Sequence, residues 1–273
     1  MKKLLTLILT LFIIGSATVR AQKKETRRVD TFTKISYRIP GKLFLKQGGT
    51  QEVQIEGSPE MLGKIETHVQ GGELIIATEE KWFSWSWKEE DNVTVYITVN
   101  VLEGVRVSGS GDVISQSRFT SDDFFLKVSG SGSFKGEVIA KDELKAEVSG
   151  SGDIEISGKC GDFESKVSGS GKVIADLTVS ENTNVSISGS GKVRTRGTTS
   201  SFEARVSGSG EVQAADMEST RCEINIAGSG DVEINVKSEL TARISGSGSI
   251  RYNGNPQKVD VHSSGSGKVK KMG

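Results

Sequence analysis

The segment LKAEVSGSGDIEI, from Leu144 to Ile156, contains the pattern that decides the fold of this chain. Polar and apolar residues alternate on both sides of a Ser-Gly-Ser-Gly corner. Alternation with a period of two is typical of strands that bury one face. The two glycines of the corner accept positive φ angles and allow backbones to approach closely. The segment therefore predicts two short strands joined by a tight corner.

The Gly-Ser-Gly tripeptide of this corner occurs nine times, at intervals of 18 to 21 residues. A period near 20 residues indicates a solenoid, whereas a Gly/Ser linker has no reason to keep a period. Eight of the nine copies have Val or Ile two positions before the first glycine. The first glycines of the nine copies are Gly109, Gly130, Gly150, Gly169, Gly189, Gly208, Gly228, Gly246 and Gly265.

Two strands in about 20 residues cannot bury their apolar face alone, so successive coils must stack on one another. Stacking in parallel register, about 4.8 Å apart, places each strand beside its equivalent in the next coil. The predicted fold is an all-β, right-handed parallel β-solenoid of about nine coils, because parallel crossovers strongly favour that hand. The alternative is a flat or sandwiched antiparallel array, which would not keep identical corners in register.

The chain divides into three regions. Residues 1–21 are predicted to be a signal peptide, since lysines precede a short apolar run and Val19-Arg20-Ala21 resembles a cleavage site. Residues 22–100 lack the repeat and are predicted to be a β-rich cap that continues into the solenoid of residues 101–273. The protein is therefore expected to be exported to the periplasm, the outer surface or the extracellular space. No transmembrane segment is expected in the mature chain.

The cap region contains six segments that indicate strands and one that indicates a helix. Ser58-Pro59-Glu60 is typical of the start of a one-turn helix. At the other end of the chain, three lysines are expected to blunt the last strand edge: Lys268, Lys270 and Lys271. The predicted strands of the cap are Asp30–Ile39, Lys42–Gln47, Glu52–Glu56, Ile65–Val69, Glu73–Ala77 and Val93–Val99.

Charge and cysteine content exclude several classes of protein. The 273 residues include 35 basic and 35 acidic side chains, a balance that gives no support for nucleic-acid binding. Two cysteines are too few for a disulfide scaffold. The register places Cys160 and Cys222 three coils apart, about 14 Å, which is beyond the reach of a disulfide. Both are expected to be free thiols.

An aromatic stretch is the first candidate binding site. It contains all three tryptophans of the chain, and alternate aromatic residues would share one face of a strand. Aromatic rings bind sugars by stacking on their apolar faces. The alternative is that these rings cover the core of the cap. The residues of this candidate glycan contact are Trp82, Phe83, Trp85 and Trp87.

A column of outward-facing cations is the second candidate. The residue before each buried Val or Ile is basic in five coils and acidic in one. One interpretation is a solvated face on which like charges are spaced apart. The other is a basic stripe that binds an anionic glycan or lipopolysaccharide. The five cations of the stripe are Arg106, Lys127, Lys166, Arg205 and Arg243.

Motifs for catalysis or metal binding are not found in the sequence. His68 and His262 are far apart in the chain, and no Cys–His cluster accompanies them. The position after each Gly-Ser-Gly carries Lys172, Lys192 and Lys268 in three copies, which argues against a calcium ladder. No cofactor or metal is expected, and the protein is predicted not to be an enzyme.

Four segments resemble one known family: Arg28–Ile35, Val53–Gly57, Gly72–Ile76 and Val105–Val113. The chain is similar in these segments to the putative auto-transporter adhesin, head GIN domain family, a domain of unknown function in secreted Bacteroidetes proteins. The resemblance covers nearly the whole mature chain. It implies a β-helical protein of the cell envelope or the extracellular space, and it supplies no catalytic residues.

Three functions remain open from the sequence. The first is a non-enzymatic secreted or cell-envelope protein with an adhesin-like or scaffolding role, whose partner is a cell-surface glycan or an envelope protein. The second is a carbohydrate-binding module that uses the aromatic stretch. The third is a polysaccharide lyase, supported only by analogy with other β-solenoids.

Overall fold

The computed structural model describes residues 22–78 and 92–272, and 74% of them lie in strands of one connected sheet system. One short helix, α1 (Pro59–Lys64), interrupts the strands of the N-terminal part. The N-terminal strands are β1 (Lys23–Arg27), β2 (Lys34–Tyr37), β3 (Lys42–Gln47), β4 (Glu52–Gly57), β5 (Ile65–Gln70), β6 (Glu73–Thr78) and β7 (Thr94–Val99).

The repeats supply sixteen further strands, of which seven are eight residues long and three continue for 16 to 18 residues. They are β8 (Gly104–Gly109), β9 (Asp112–Ser115), β10 (Phe119–Ser121), β11 (Phe124–Gly130), β12 (Ser133–Ala140), β13 (Glu143–Gly150), β14 (Asp153–Cys160), β15 (Asp162–Gly169), β16 (Lys172–Val179), β17 (Asn182–Gly189), β18 (Lys192–Gly208), β19 (Glu211–Gly228), β20 (Asp231–Gly246), β21 (Ser249–Asn253), β22 (Lys258–Gly265) and β23 (Lys268–Lys271).

Every corner lies in register with the corners of the adjacent coils. Gly130 is paired with Gly109 on one side and with Gly150 on the other, and the same pairing continues to Gly265. All ladders between the repeats are parallel, so the predicted parallel β-solenoid is confirmed and the antiparallel alternative is wrong. The nine corners, expected as about nine coils, enclose about eight turns.

The interior is a set of apolar columns that run along the solenoid. The Val or Ile before each corner is almost fully buried, as at Val128, Val148 and Val167. Neighbouring columns contain the buried rings of Phe124, Phe134, Phe163 and Phe202. Burial of each such side chain contributes about 1.5–3 kcal/mol, so these columns can support the fold although only 34% of the residues are hydrophobic.

The corner needs glycine at both positions, for different reasons. The first glycine has a positive φ, for example 117° at Gly150, which side chains rarely adopt. The second is packed against the preceding coil: a Cβ on Gly152 would lie 2.4 Å from the carbonyl oxygen of Gly132 and 2.5 Å from Cγ1 of Val128. Any side chain at this position would therefore push two coils apart.

The N-terminal part of the chain closes one end of the solenoid. Strands β2 and β3 lie between the later pair β6 and β7 and the first repeat, β8 and β9. Beyond them the direction of pairing changes, because β4 runs antiparallel to β7, β1 to β4 and β5 to β6. Helix α1 connects β4, which lies between β7 and β1, with β5, which pairs only with β6 among the described residues. Its Met61 and Leu62 join the core.

The predicted helix start is confirmed, because Ser58 caps α1 and its hydroxyl accepts a hydrogen bond from the backbone N–H of Met61 at 3.3 Å. The predicted strand Asp30–Ile39 is too long, since β2 covers only its middle. Before β2, the Gln51 side chain bonds to the Phe32 N–H at 3.2 Å and the Asp30 carbonyl at 2.9 Å and replaces a strand partner. Strand β1 was not predicted.

Two predicted regions lie outside the described residues: the signal peptide, 1–21, and the aromatic stretch of residues 82–87. The division of the mature chain at residue 100 stays a prediction.

The C-terminal end of the solenoid is built differently from the N-terminal end. Among the described residues, β22 pairs only with β20, and β23 pairs only with β21. All eight residues of β22 are exposed. The last coil therefore has a neighbour on one side only.

Candidate binding groove

The predicted cation column lies on the outer face of the solenoid. Lys127 is paired with Arg106 on one side and with Glu147 on the other, and Arg205 lies opposite Ser186 and Asn225. The period-two alternation of the strands explains this position, because each cation precedes a buried Val or Ile. The structure thus brings the five cations of the stripe into a single column, with uncharged or acidic residues between some of them.

A groove of about 900 Å³ follows this column along six neighbouring strands, from β15 to β22. Six strands about 4.8 Å apart give it a length of about 24 Å. One wall is the outward column that contains Lys166, Ser186, Arg205, Asn225, Arg243 and His262. The other wall is the outward column two residues further on, which contains Ser168, Ser188, Ser207, Ala227, Ser245 and Ser264. We call this site the outer groove.

The charge of the outer groove is one-sided. Of the described residues that line it, three are Lys or Arg and none is Asp or Glu. The nearest carboxylates stand in the next column, on the side of the cations away from the groove. There Glu223 forms an ion pair with Arg243 at 3.0 Å, Glu203 forms one with Arg205, and Asp260 lies 3.4 Å from His262.

These ion pairs leave the cations available to a ligand. The side chains of Arg205 and Arg243 are 63% and 55% exposed. Exposed ion pairs contribute only about 0–1 kcal/mol, so an incoming anion can replace the carboxylate partner. Lys166 forms no ion pair with any described residue. The groove therefore offers three cations on alternate rungs to an extended anion.

The structure separates the five cations of the stripe into two groups. Lys166, Arg205 and Arg243 line the outer groove, whereas Arg106 and Lys127 do not. Lys127 pairs with Glu147 at 3.0 Å, and the Arg106 guanidinium lies 4.4 Å from the centre of the Phe125 ring and pairs with Glu73. These two cations have local partners that account for their positions.

The second wall of the groove was not identified from the sequence. A pattern that points to it is present, because Ser precedes the first corner glycine in eight of the nine copies. The corner needs glycines but does not require this serine. The recurring hydroxyls at 168, 188, 207, 245 and 264 form most of the second wall of the outer groove.

The opposite outer face has a different charge pattern. Lys135 pairs with Glu155 at 2.9 Å, Lys192 with Glu211 at 2.6 Å, and Arg251 with Glu233. Here cations and carboxylates occur in the same columns: Lys135 lies beside Glu155 in the ladder and Lys192 beside Glu211, although Lys192 also lies beside Lys172. This face has no continuous positive surface and serves as an internal reference for the outer groove.

The two cysteines are free and buried, as predicted. Burial raises the pKa of both thiols to about 12, so neither is an activated nucleophile at neutral pH. Within residues 22–78 and 92–272, no three His, Cys, Asp or Glu side chains come together as metal ligands. In the same ranges, no helix is long and apolar enough to cross a membrane.

Strand register, corner geometry and the outer groove define a β-solenoid with a groove along one outer face. The family described as putative auto-transporter adhesin, head GIN domain, matches residues 31–196 and 178–256. The chain belongs to this family.

Solved structures of similar proteins agree with the fold. A putative lipid binding protein from Parabacteroides distasonis is 22% identical, with a TM-score of 0.71 over 92% of this chain and 97% of that chain. A putative adhesin from Parabacteroides merdae is 19% identical, with a TM-score of 0.67 over 92% and 96%. A putative adhesin from Bacteroides fragilis is 22% identical, with a TM-score of 0.51 over 93% and 98%. No protein of curated function matches the chain significantly.

Proposed function

We propose that this protein is an exported, non-enzymatic adhesin-type protein of the cell envelope that binds a linear anionic glycan along the outer groove. The observation that carries the proposal is the lining of the groove, which combines Lys166, Arg205 and Arg243 with a column of serines and contains no carboxylate. Membership in an adhesin family supports the same class of function.

The spacing of the groove suits a polymer better than a small molecule. Its polar groups repeat about every 4.8 Å along about 24 Å. The hydrogen-bond donors are therefore spread along the groove and are not gathered at one point. Each exposed charge contact is weak, so affinity must come from the sum of several contacts along one chain. Binding should weaken as salt rises, because the cations are exposed and screening acts on them.

Polygalacturonate, a linear anionic polysaccharide, is a suitable probe, with neutral dextran as its counterpart. We expect the mature protein to bind polygalacturonate and not dextran. The triple variant Lys166→Gln, Arg205→Gln, Arg243→Gln should weaken binding at least about tenfold, which is ~1.4 kcal/mol. The matched control, Lys135→Gln, Lys192→Gln, Arg251→Gln, removes the same charge from the opposite face. Equal weakening by the two triple variants would reject a specific groove.

A second candidate is a carbohydrate-binding site formed by Trp82, Phe83, Trp85 and Trp87. The observation that favours it is the alternation of aromatic residues in KWFSWSWK, which would give a strand one aromatic face. Replacement of the three tryptophans by Ala should then abolish binding to neutral glycans and leave polygalacturonate binding unchanged. Neutral-glycan binding that survives this replacement would exclude the aromatic site.

A scaffolding role and a lyase activity are the remaining alternatives. A scaffold needs only the rigid stack of coils, so the groove variants would then leave every binding property unchanged. A lyase would need a base beside the cations; no carboxylate is among the described residues that line the groove, and His262, the ladder neighbour of Arg243, is the imidazole that could take this role. Release of unsaturated products from polygalacturonate by the purified protein would establish that activity and overturn the non-enzymatic proposal.

A further inference from the structure

The cations of the outer groove stand on every second rung of the strand ladder. Lys166 is paired with Ser186, and Ser186 with Arg205. Arg205 is paired in turn with Asn225, and Asn225 with Arg243. At about 4.8 Å per rung, the backbone positions of neighbouring cations are about 9.6 Å apart. From Lys166 to Arg243 the wall thus alternates between a cation and a neutral residue that can form hydrogen bonds.

The neutral rungs are recessed between the cations. The side chains of Ser186 and Asn225 are short and half-buried, whereas Lys166, Arg205 and Arg243 are exposed. Within residues 22–78 and 92–272, the Ser186 hydroxyl forms no hydrogen bond, and the Asn225 amide forms only a long one, to Glu223 at 3.4 Å. Each neutral rung is therefore a gap between two long side chains, and its polar group is available to a ligand.

Repulsion between like charges does not account for this alternation. In the same column Arg106 lies directly beside Lys127, and on the opposite face Lys172 lies beside Lys192. Carboxylates near such pairs offset their charge, as Glu147 does for Lys127, and the groove cations on β18 and β20 have carboxylate partners too. Because the fold tolerates adjacent cations, the neutral rungs inside the groove need another explanation.

A polysaccharide that alternates an acidic sugar with a neutral one has the same period. The length of one sugar residue in an extended chain is close to the spacing of one rung, so two sugars span the distance between neighbouring cations. Successive rings of a ribbon-like chain are turned over, and only every second sugar presents the same edge to one wall. An acid on every second sugar therefore meets a cation each time, while the neutral sugar faces Ser186 or Asn225.

A chain with an acid on every sugar fits this wall less well. Every second carboxylate would lie beside a neutral rung or face the serine wall, away from the cations. An ionised group that loses water without gaining a charged partner is destabilised. The outer groove therefore favours the less densely charged polymer, which is the opposite of what attraction by charge alone predicts.

We propose that the ligand of the outer groove is a linear glycan in which acidic and neutral sugars alternate, with one acidic group beside each of Lys166, Arg205 and Arg243. This inference rests on the proposed function, since it specifies the anionic glycan that binds there. Ser186 and Asn225 set the spacing and form hydrogen bonds with the neutral sugars.

Two hexasaccharides test the proposal on the mature protein by isothermal titration calorimetry. A hyaluronan hexasaccharide alternates a uronic acid with a neutral N-acetylated sugar and has half as many carboxylates as hexagalacturonate. We expect the hyaluronan fragment to bind at least about fivefold more tightly. Tighter binding of hexagalacturonate would overturn the proposed spacing and leave the anionic-glycan proposal intact. Binding of neither fragment would overturn both.

Exchanging one cation with its neutral neighbour changes the spacing but not the charge. In the variant Ser186→Arg, Arg205→Ser the cations no longer stand on alternate rungs. The hyaluronan fragment should then bind at least about tenfold more weakly, and the affinity for hexagalacturonate should change less than about twofold. The matched control Arg194→Gln, Gln213→Arg makes the same exchange between ladder partners on the opposite face and should change neither affinity. Unchanged hyaluronan binding by the first variant, or an equal loss for both fragments, would reject the spacing.

Discussion

The two ends of the solenoid differ in how their strands are paired and in how the apolar core is covered. At the N-terminal end the chain leaves the repeat: β4, β1 and β5 pair antiparallel, and α1 spans from one sheet to the other with Met61 and Leu62 buried. At the C-terminal end the parallel strands of the repeat continue unchanged, and among the described residues β22 and β23 each pair on one side only. Each added repeat ends in the same strand edges as the repeat before it. A solenoid can therefore be closed only by sequence outside the repeat.

The second corner glycine is expected to show the largest difference in stability loss between a substitution in the middle of the solenoid and one in the last coil. Gly152→Val should destabilise the protein by more than about 4 kcal/mol or prevent folding, because coils on both sides hold this corner in place. In Gly267→Val the new side chain would meet Ile244, but no described coil packs on the other side of this corner. The corner can therefore move away, and we expect a loss of stability of about 1 kcal/mol. Urea unfolding of both variants measures the difference. Equal losses would show that the last coil is as tightly held as the middle.

The second comparison places a carboxylate at each end. Leu62→Asp puts an unpaired charge into the closed end, where Leu62 is 2% exposed, and should cost about 3–5 kcal/mol. Val261→Asp adds the same charge at the C-terminal end, where water reaches the side chain, and should cost less than about 1 kcal/mol. Leu62→Ala and Val261→Ala separate the loss of apolar contact from the charge. A large loss for Val261→Asp would contradict this exposure of the side chain.

Alkaline pH tests the coils between the two ends. Burial raises the pKa of Cys160 and of Cys222 to about 12, from an ordinary value near 9. The unfolded chain therefore loses these protons first, and the free energy of unfolding falls as pH rises from about 9 towards 12. Each thiol should contribute a loss of about 1.4 kcal/mol by pH 10.

The measurement for this prediction is the slope of the free energy of unfolding against pH, rather than its absolute value. The double variant Cys160→Ala, Cys222→Ala is less stable at all pH values, because it leaves cavities, but its slope between pH 8 and 10 should be smaller. An identical slope in the two proteins would mean that other groups control the alkaline transition.

The smallest effect on stability is expected on the outer face, away from both ends. Glu203→Gln and Glu223→Gln remove exposed partners of Arg205 and Arg243 and should change stability by less than about 0.5 kcal/mol. The same changes should strengthen polygalacturonate binding about two- to fivefold, since the cations no longer face a competing carboxylate. Glu155→Gln on the opposite face is the control and should leave binding unchanged. Weaker binding after Glu203→Gln would contradict the assigned role of the cations.

Much of the fold could be predicted because the same local sequence pattern occurs in nine copies of the repeat. The spacing of Gly-Ser-Gly, the alternation around it and the positions of Val and Ile predicted the parallel register, which pairs Gly130 with Gly109 and Gly150. The same register correctly predicted that Cys160 and Cys222 are free. The cap was harder to predict, since its strands occur once and a side chain such as that of Gln51 can replace a strand partner.

The candidate site was predicted only in part. Alternation placed the five cations in one column, but it gave no means of separating Lys166, Arg205 and Arg243 from Arg106 and Lys127. That separation depends on which side chains find a partner in space. Glu73, the partner of Arg106, lies in a strand that the chain order places far from the first repeat. The recurring serine before each corner was visible in the sequence, but its meaning depends on the groove that it lines.

The sequence by itself determined the period, the buried columns and the corner chemistry, because these follow from local preferences repeated at a fixed interval. Only the tertiary structure decided that β2 and β3 lie between the first repeat and the later pair β6 and β7, and that α1 buries Met61 and Leu62 in the core at the N-terminal end. The physical reason is that closure and ion pairing depend on contacts between residues distant in the chain. The outer groove and the N-terminal cap both arise at that level.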